Sequence, residues 1–413
     1  MAGRAGPGPG FGIPPPDTGS PVLDATGRAL MVAIHAERRI DPFFRPAFER
    51  LLRDPLTELT TWLINRRRPN EGFAIAEERI QPDEEAHLDG IIAAFRAQLP
   101  LLWNPGYAER GGNTKTHGVV RGELTIRDDV PERMRHGIFA EPRSYPAWVR
   151  FAGPGPYVPK DIDDIGLLSL GVKLMGVEGP KLLDDEEHTQ DLICVSTPTF
   201  VTPDTKANVR LQGWSLKNAQ VFYFVDPRDS HLLDAVMQVL WTKTQTSPLE
   251  SDYYSTVPYL LGEGRAMQYS FHPRQRLRSR VPRLPRRPPD DYLRDAMAAT
   301  LAERGVEFDL SLQLQADPHL MPIEDAGVPW PTKLSPRVPV GVLRIPKQRF
   351  DSPEQFAFAR VLSYNPWHCL PEHRPLGNQG RARKRMYAEL SRLRQSMNGV
   401  EHYEPTGDET FST

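Results

Sequence analysis

The sequence predicts an α+β fold, an antiparallel β-barrel or sandwich with helices at both ends of the chain. Three observations carry this. Short apolar runs with strand-like texture, "THGVVRGELTI", "AWVRFAG", "LSLGVKLMGV" and "QDLICVS", are separated by Gly, Pro and Asp between about Lys115 and Phe200. The same texture returns in "AMQYSFHP", "DLSLQLQAD" and "VPVGVLRIPKQRF". Helical spacing dominates at both ends of the chain, and no internal period marks a repeat protein.

The elements follow in order. Residues 1–25 form a Gly/Pro-rich arm, opening "MAGRAGPGPGFGIPPPDTGSP", with no apolar signal-peptide core; it is expected to be flexible. Residues 26–108 are expected to be helical. "DPFFRPAFERLLRDPLTELTTWLINRRR" has apolar residues three and four apart and is cut at Pro55, so it reads as two amphipathic helices. Their Phe43, Phe44 and Trp62 are expected to pack against the barrel. "EEAHLDGIIAAFRAQLPLLW" is a third helix.

Residues 109–413 are assigned to the barrel and its C-terminal helices. Within them "DAVMQVLW" is the clearest helical piece of a region from Asn208 to Trp241. "RQRLRSRVPRLPRRPP" reads as a solvated Pro/Arg-rich connector. The last segment, from "EQFAFARVLSYNPWH" onward, holds a helix, a Pro-rich turn and a final helix.

Composition excludes several classes. The chain has 413 residues, 39% of them hydrophobic, which is enough for a real core. With 51 basic and 53 acidic residues the net charge is -2, so no global field recruits nucleic acid. Two cysteines, Cys194 and Cys369, argue against a disulfide scaffold or a thiolate cluster and for a cytoplasmic setting. The longest apolar stretch, "IGLLSLGVKLMGV", is short and carries Lys173; no transmembrane segment is expected.

Candidate chemistry lies near the C-terminus. Arg360 and Tyr364 stand four apart on an expected helix, hence on one face, and Asn365-Pro366 should end it. A guanidinium beside a phenol favours the phenolate, and a phenolate is a ligand for ferric iron. His117 heads a strand between Thr116 and Gly118. His188, in "DDEEHTQD", reads as part of an exposed acidic loop. His368 and His373 flank the Pro-rich turn and either cap it or touch a ligand.

"RVLSYNPWHCLPEHRPLG" resembles the proximal segment of catalase-like haem proteins. "THGVVRGELTIRDDVPERMRHGIFAEPRSYPAWVRFAG" is similar to their distal strands, and "QDLICVSTPTFVTPD" to a segment that follows. The order agrees from about Lys115 to Leu376. The resemblance implies a catalase-like antiparallel β-barrel with haem b (iron protoporphyrin IX) buried between the barrel and the C-terminal helix. It makes Tyr364 the axial iron ligand, Arg360 its charge partner, Arg150 a propionate partner and His117 the distal base.

The chain also departs from that pattern. Val195 stands where a distal asparagine is expected, and Ala152 where a serine supports the histidine. Thr116 before His117 resembles the allene oxide synthase branch, in which the same fold handles fatty-acid hydroperoxides; its hydroxyl is expected to hold the imidazole nitrogen. A more apolar distal side implies an organic substrate such as a fatty-acid hydroperoxide, taken by rearrangement, cleavage or peroxidase chemistry. The alternatives are hydrogen peroxide disposal by a catalase or peroxidase, and non-catalytic haem binding or sensing. The family's long tetramer-building arm is missing from the pattern, so a monomer or dimer is expected rather than a threaded tetramer.

Overall fold

Ser20 starts the first helix: its hydroxyl accepts from the Leu23 amide, and Pro21 fits a first turn that needs no amide donor. The protein was analysed as a computed structural model, described over residues 11–226 and 229–411. Helix α1 spans Pro21–Phe48, so the last five residues of the expected flexible arm are helical. Residues 1–10 of that arm lie outside the described residues.

Pro55 does not separate two helices. A π-turn, Glu49–Arg53, carries α1 directly into α2, Asp54–Arg67. Pro55 falls in the first turn of α2, and the wider turn before it makes room for the ring. The expected burial of Phe43, Phe44 and Trp62 fails too: they are 70%, 44% and 53% exposed. These helices turn polar side chains inward instead, among them Arg38, Asp41 and Arg45.

Helix α3, Glu84–Leu102, buries Leu88, Ile91, Ile92 and Leu99 at helical spacing. The barrel strands follow: β1 (Thr116–Ile126), β2 (Ser144–Ala152), β3 (Ser169–Met175) and β4 (Thr189–Val195). Three helices come next, α4 (Thr205–Ser215), α5 (Val221–Val225) and α6 (Leu232–Trp241). Then come β5 (Tyr253–Tyr254), β6 (Tyr259–Leu260), β7 (Ala266–Pro273), α7 (Tyr292–Glu303), β8 (Val306–Leu314) and β9 (Val338–Ile345). Helices α8 (Pro353–Val361) and α9 (Gly377–Asn398) finish the chain.

Pairing runs β5-β4-β3-β2-β1-β9-β8-β7, and β5 pairs with β7 to close the ring; β6 is added on β7. The result is the expected antiparallel barrel with flanking helices, built from eight strands. Its inside is apolar and rich in aromatic rings: Val149, Phe151, Leu170, Val172, Tyr253, Phe271 and Phe308 belong to one buried cluster. Alternation then sends the intervening residues of β1–β4 to the outer face. Among the described residues no helix is long and apolar enough to cross a membrane.

Candidate functional site

Register fixes the candidate site before any side chain is considered. Direct pairing lines up Thr116, Ala152, Ser169 and Val195 in one row across β1–β4. The next row of the same face is Val119, Arg150, Gly171 and Ile193, and the third is Arg121, Trp148, Lys173 and Asp191. Directly opposed residues share a face, so three sequence-predicted residues, Thr116, Arg150 and Val195, meet on one outer surface. His117 occupies a bulge between Thr116 and Gly118, where one extra residue re-aims the side chain.

His117 is 1% exposed, and neither ring nitrogen has a hydrogen-bond partner. Asp161 is the nearest carboxylate, 4.0 Å from Nδ1. Lys115 already claims that carboxylate at 2.6 Å. Burial, with Lys115, Arg294 and Arg150 behind it, pushes the imidazole well below its ordinary range, so it is neutral. Thr116 does not hold it. The hydroxyl accepts instead from Arg150, at 2.7 Å from Nη2 and 3.2 Å from Nε. Two rigid donors on a fixed fork outcompete one neutral ring.

Arg150 also donates to the carbonyls of Asn113 at 2.8 Å and Thr114 at 3.3 Å. Burial first, then the neighbouring Arg110 guanidinium, pull its pKa down to about 9. Arg110, Arg360 and Arg394 gather beside it around a single carboxylate, Glu109. This corner carries an excess of positive charge.

The pairing of Arg360 with Tyr364 is overturned. Helix α8 ends at Val361, before Tyr364, so the two do not share a helical face. Arginines stop it: Arg110 donates to the carbonyls of Ala359, at 3.1 Å, and Leu362, and Arg394 donates to those of Arg360 and Leu362. Cations at a helix C-terminus satisfy its free carbonyls. Arg360 itself binds Glu109 at 3.2 Å.

Tyr364 lies against the second row. A Cβ on Gly171 would stand 3.1 Å from its ring, tight enough that the phenol would have to shift by a few tenths of an ångström. Its hydroxyl donates a long bond, 3.3 Å, to the Trp148 carbonyl. Burial and then Asp191 push the phenol up, against Arg150, Lys173 and Arg110. The expected lowering by Arg360 is therefore reversed, and the phenol is protonated at neutral pH.

A buried ionic network behind Tyr364 escaped the sequence reading. Lys173 binds Glu186 and Asp191, the latter at 2.9 Å, and its ammonium lies 5.6 Å from the Tyr364 ring centre. Asp191 also accepts from the Asn365 amide at 2.8 Å and contacts His368 Nδ1 at 3.0 Å. His368 Nε2 meets Asp185 at 2.9 Å. Burial and Lys173 pull His368 down, but its bonds to Asp185 and Asp191 outweigh them and lift it to about 9. Glu186, Asp191 and His368 are grouped like metal ligands, with the Lys173 ammonium already among them as the cation. The signal in the sequence was Lys173 itself, a lone charge in an apolar strand.

His373 is structural. Its Nε2 accepts from the Ile138 amide at 3.0 Å, and burial lowers it to about 4. His188 is exposed on its loop.

Two features suit a haem: the orphaned neutral imidazole of His117, and a cation-rich corner around Arg150 that suits carboxylates. The Tyr364 ring itself fills the space over Gly171.

No family model matches the chain, and no curated protein matches its sequence. Among solved structures it is similar to a fungal catalase, with a TM-score of 0.54 and 16% identity over 80% of this chain and 68% of that one. It is also similar to catalase A from Saccharomyces cerevisiae, with a TM-score of 0.55 and 14% identity over 84% of this chain and 72% of that one. The closed eight-stranded barrel and these likenesses give this chain the catalase fold.

Proposed function

We propose that this chain is a haem-dependent enzyme acting on an organic hydroperoxide, with a fatty-acid hydroperoxide as the leading substrate. Haem b would be held by the Tyr364 oxygen on its iron and by Arg150, with Arg110, at its propionates. When bound, the iron supplies the activation of the peroxide O–O bond. The remaining chemistry belongs to the chain.

His117 is neutral and has two free nitrogens, so it can take a proton from one peroxide oxygen and return it to the other. Arg150 and Thr116 lock each other across β1 and β2 and keep the bulge, and with it the imidazole, in place. Lys173, Asp191 and His368 pin the segment after α8 to β3 and β4, which fixes the phenol.

The single observation that carries the substrate class is the row through Thr116, Ala152, Ser169 and Val195. Ala152 and Val195 offer no donor to orient a small polar peroxide. The Ser169 hydroxyl is turned to the Ala152 carbonyl and the Thr116 hydroxyl accepts from Arg150, so the row favours a hydrocarbon tail instead. The threonine before His117 agrees with the resemblance to the allene oxide synthase branch.

A screen of the haem-loaded protein tests this. A fatty-acid hydroperoxide should lose its diene absorbance, with products identified by mass as rearranged, cleaved or reduced. Hydrogen peroxide should evolve little oxygen. Vigorous oxygen evolution with an untouched lipid hydroperoxide would move the assignment to hydrogen peroxide disposal, and inertness to both would leave haem binding or sensing.

A further inference from the structure

We propose that the outward face of α1, continued along α2, is the surface on which a second copy of this chain docks. The helix is inside out. Val22, Val32, Ile40 and Phe43 are 74%, 69%, 55% and 70% exposed, and α2 adds Leu59 and Trp62 at 51% and 53%. Its buried positions are Gly27, Arg38, Asp41 and Arg45.

This orientation is fixed by directional bonds. Arg45 Nε donates to Asp41 at 2.9 Å, and Asp41 accepts from the Thr244 amide at 2.7 Å. The Thr244 hydroxyl donates to the Arg38 carbonyl at 2.6 Å. Rolling the helix to hide its apolar side would strand these buried charges without their partners.

The occupant follows from period, area and charge. Exposed Val22, Ala29, Ala36 and Phe43 recur every seven residues, as do exposed Thr26, Ala33, Ile40 and Ala47. That is the repeat of a seam between two helices. At about 1.5 Å per residue the continuous helix is roughly 70 Å long, and a stripe about 10 Å wide covers on the order of 700 Å². A monomer's largest apolar patch is about 300–600 Å², whereas each half of a standard interface is about 800 Å².

A bilayer fits less well. It selects a basic rim beside large apolar side chains. Here exposed Arg28, Arg50, Arg66 and Arg67 stand with exposed Asp54 and Glu58 and the half-buried Glu37, and the stripe holds four alanines, Ala29, Ala33, Ala36 and Ala47, where a bilayer would select large apolar side chains. Small side chains let two helices approach closely.

Sedimentation equilibrium of the full-length chain should give twice the single-chain mass of 46.7 kDa. Val32→Glu combined with Phe43→Glu should return the single-chain mass with an unchanged circular dichroism spectrum. Should that variant misfold, Phe43→Ser, at a position exposed in the single chain, should weaken self-association at least tenfold. A wild-type chain at single-chain mass overturns the proposal, and so does undiminished association in Phe43→Ser. Co-flotation of a single-chain form with phosphatidylcholine/phosphatidylglycerol vesicles would assign the face to lipid instead.

Discussion

Lys173 and Tyr364 meet on the outer wall of the barrel, the ammonium 5.6 Å from the centre of the phenol ring. The lysine belongs to β3 and the tyrosine to the segment after α8, so this contact docks the C-terminal part of the chain onto the sheet. Removing the charge by Lys173→Met would leave Glu186 and Asp191 buried with only the His368 imidazolium to balance them. We expect a loss of about 3–5 kcal/mol in urea unfolding. A loss below about 1 kcal/mol would mean that the network does not hold this segment.

The pH dependence of stability should carry a signature of His368. Its folded pKa, about 9, lies above its ordinary value near 6.5. The stabilisation from its imidazolium is therefore complete below about pH 6.5, shrinks as pH rises and is gone above about 9, a change on the order of 3 kcal/mol. His368→Gln should be less stable than wild type at pH 6, and the gap should narrow by pH 9.5. Parallel stability curves would contradict the assignment.

Thr116→Val deletes one acceptor of the buried Arg150 guanidinium and leaves two carbonyls. We expect about 1–2 kcal/mol of destabilisation. The His117 ring, which has no bond to that hydroxyl, should keep its titration when followed by NMR. A shifted titration would tie the hydroxyl to the imidazole after all.

His117 separates stability from activity. Its two nitrogens are buried without partners, so His117→Leu should leave unfolding stability equal or higher. Turnover of the haem-loaded protein should fall by about 10²-fold or more, as when a general acid–base group is lost. Undiminished turnover would remove His117 from the chemistry.

Tyr364→Phe removes one long hydrogen bond, so chemical unfolding should shift by less than about 1 kcal/mol. The Soret band formed on adding haem should be lost or strongly displaced. Arg360→Ala should leave that band nearly intact, because its partner is the part-buried Glu109 rather than the phenol. A strong effect of Arg360→Ala with none from Tyr364→Phe would invert the assignment.

The sequence made the barrel legible because a strand buried on one side repeats every two residues. In the structure β2 and β3 turn Phe151, Leu170 and Val172 inward and Arg150, Gly171 and Lys173 outward. The final helix and the helix of "DAVMQVLW" were readable from their spacing. The bulge at His117 was not, since a bulge is defined by the partner strand.

The same division holds for the termini and the site. Helical spacing located α1 and α2 but named the wrong side as buried. Amphipathic pattern says that one face differs from the other, whereas Thr244 and its neighbours, some 200 residues away, decided which face turns inward. The pattern of Arg360 and Tyr364 likewise assumed a helix that Arg110 and Arg394 bring to an end.

By itself, then, the sequence pointed to the fold class and to the residue types of a candidate site. Those depend on local periodicity and side-chain chemistry, which every short window of chain carries. Only the tertiary structure decided that Thr116 serves Arg150, that Arg360 serves Glu109 and that Lys173 stands behind Tyr364. Hydrogen bonds and ion pairs form with whichever group the fold brings within about 3 Å, and nothing in the linear order sets that distance.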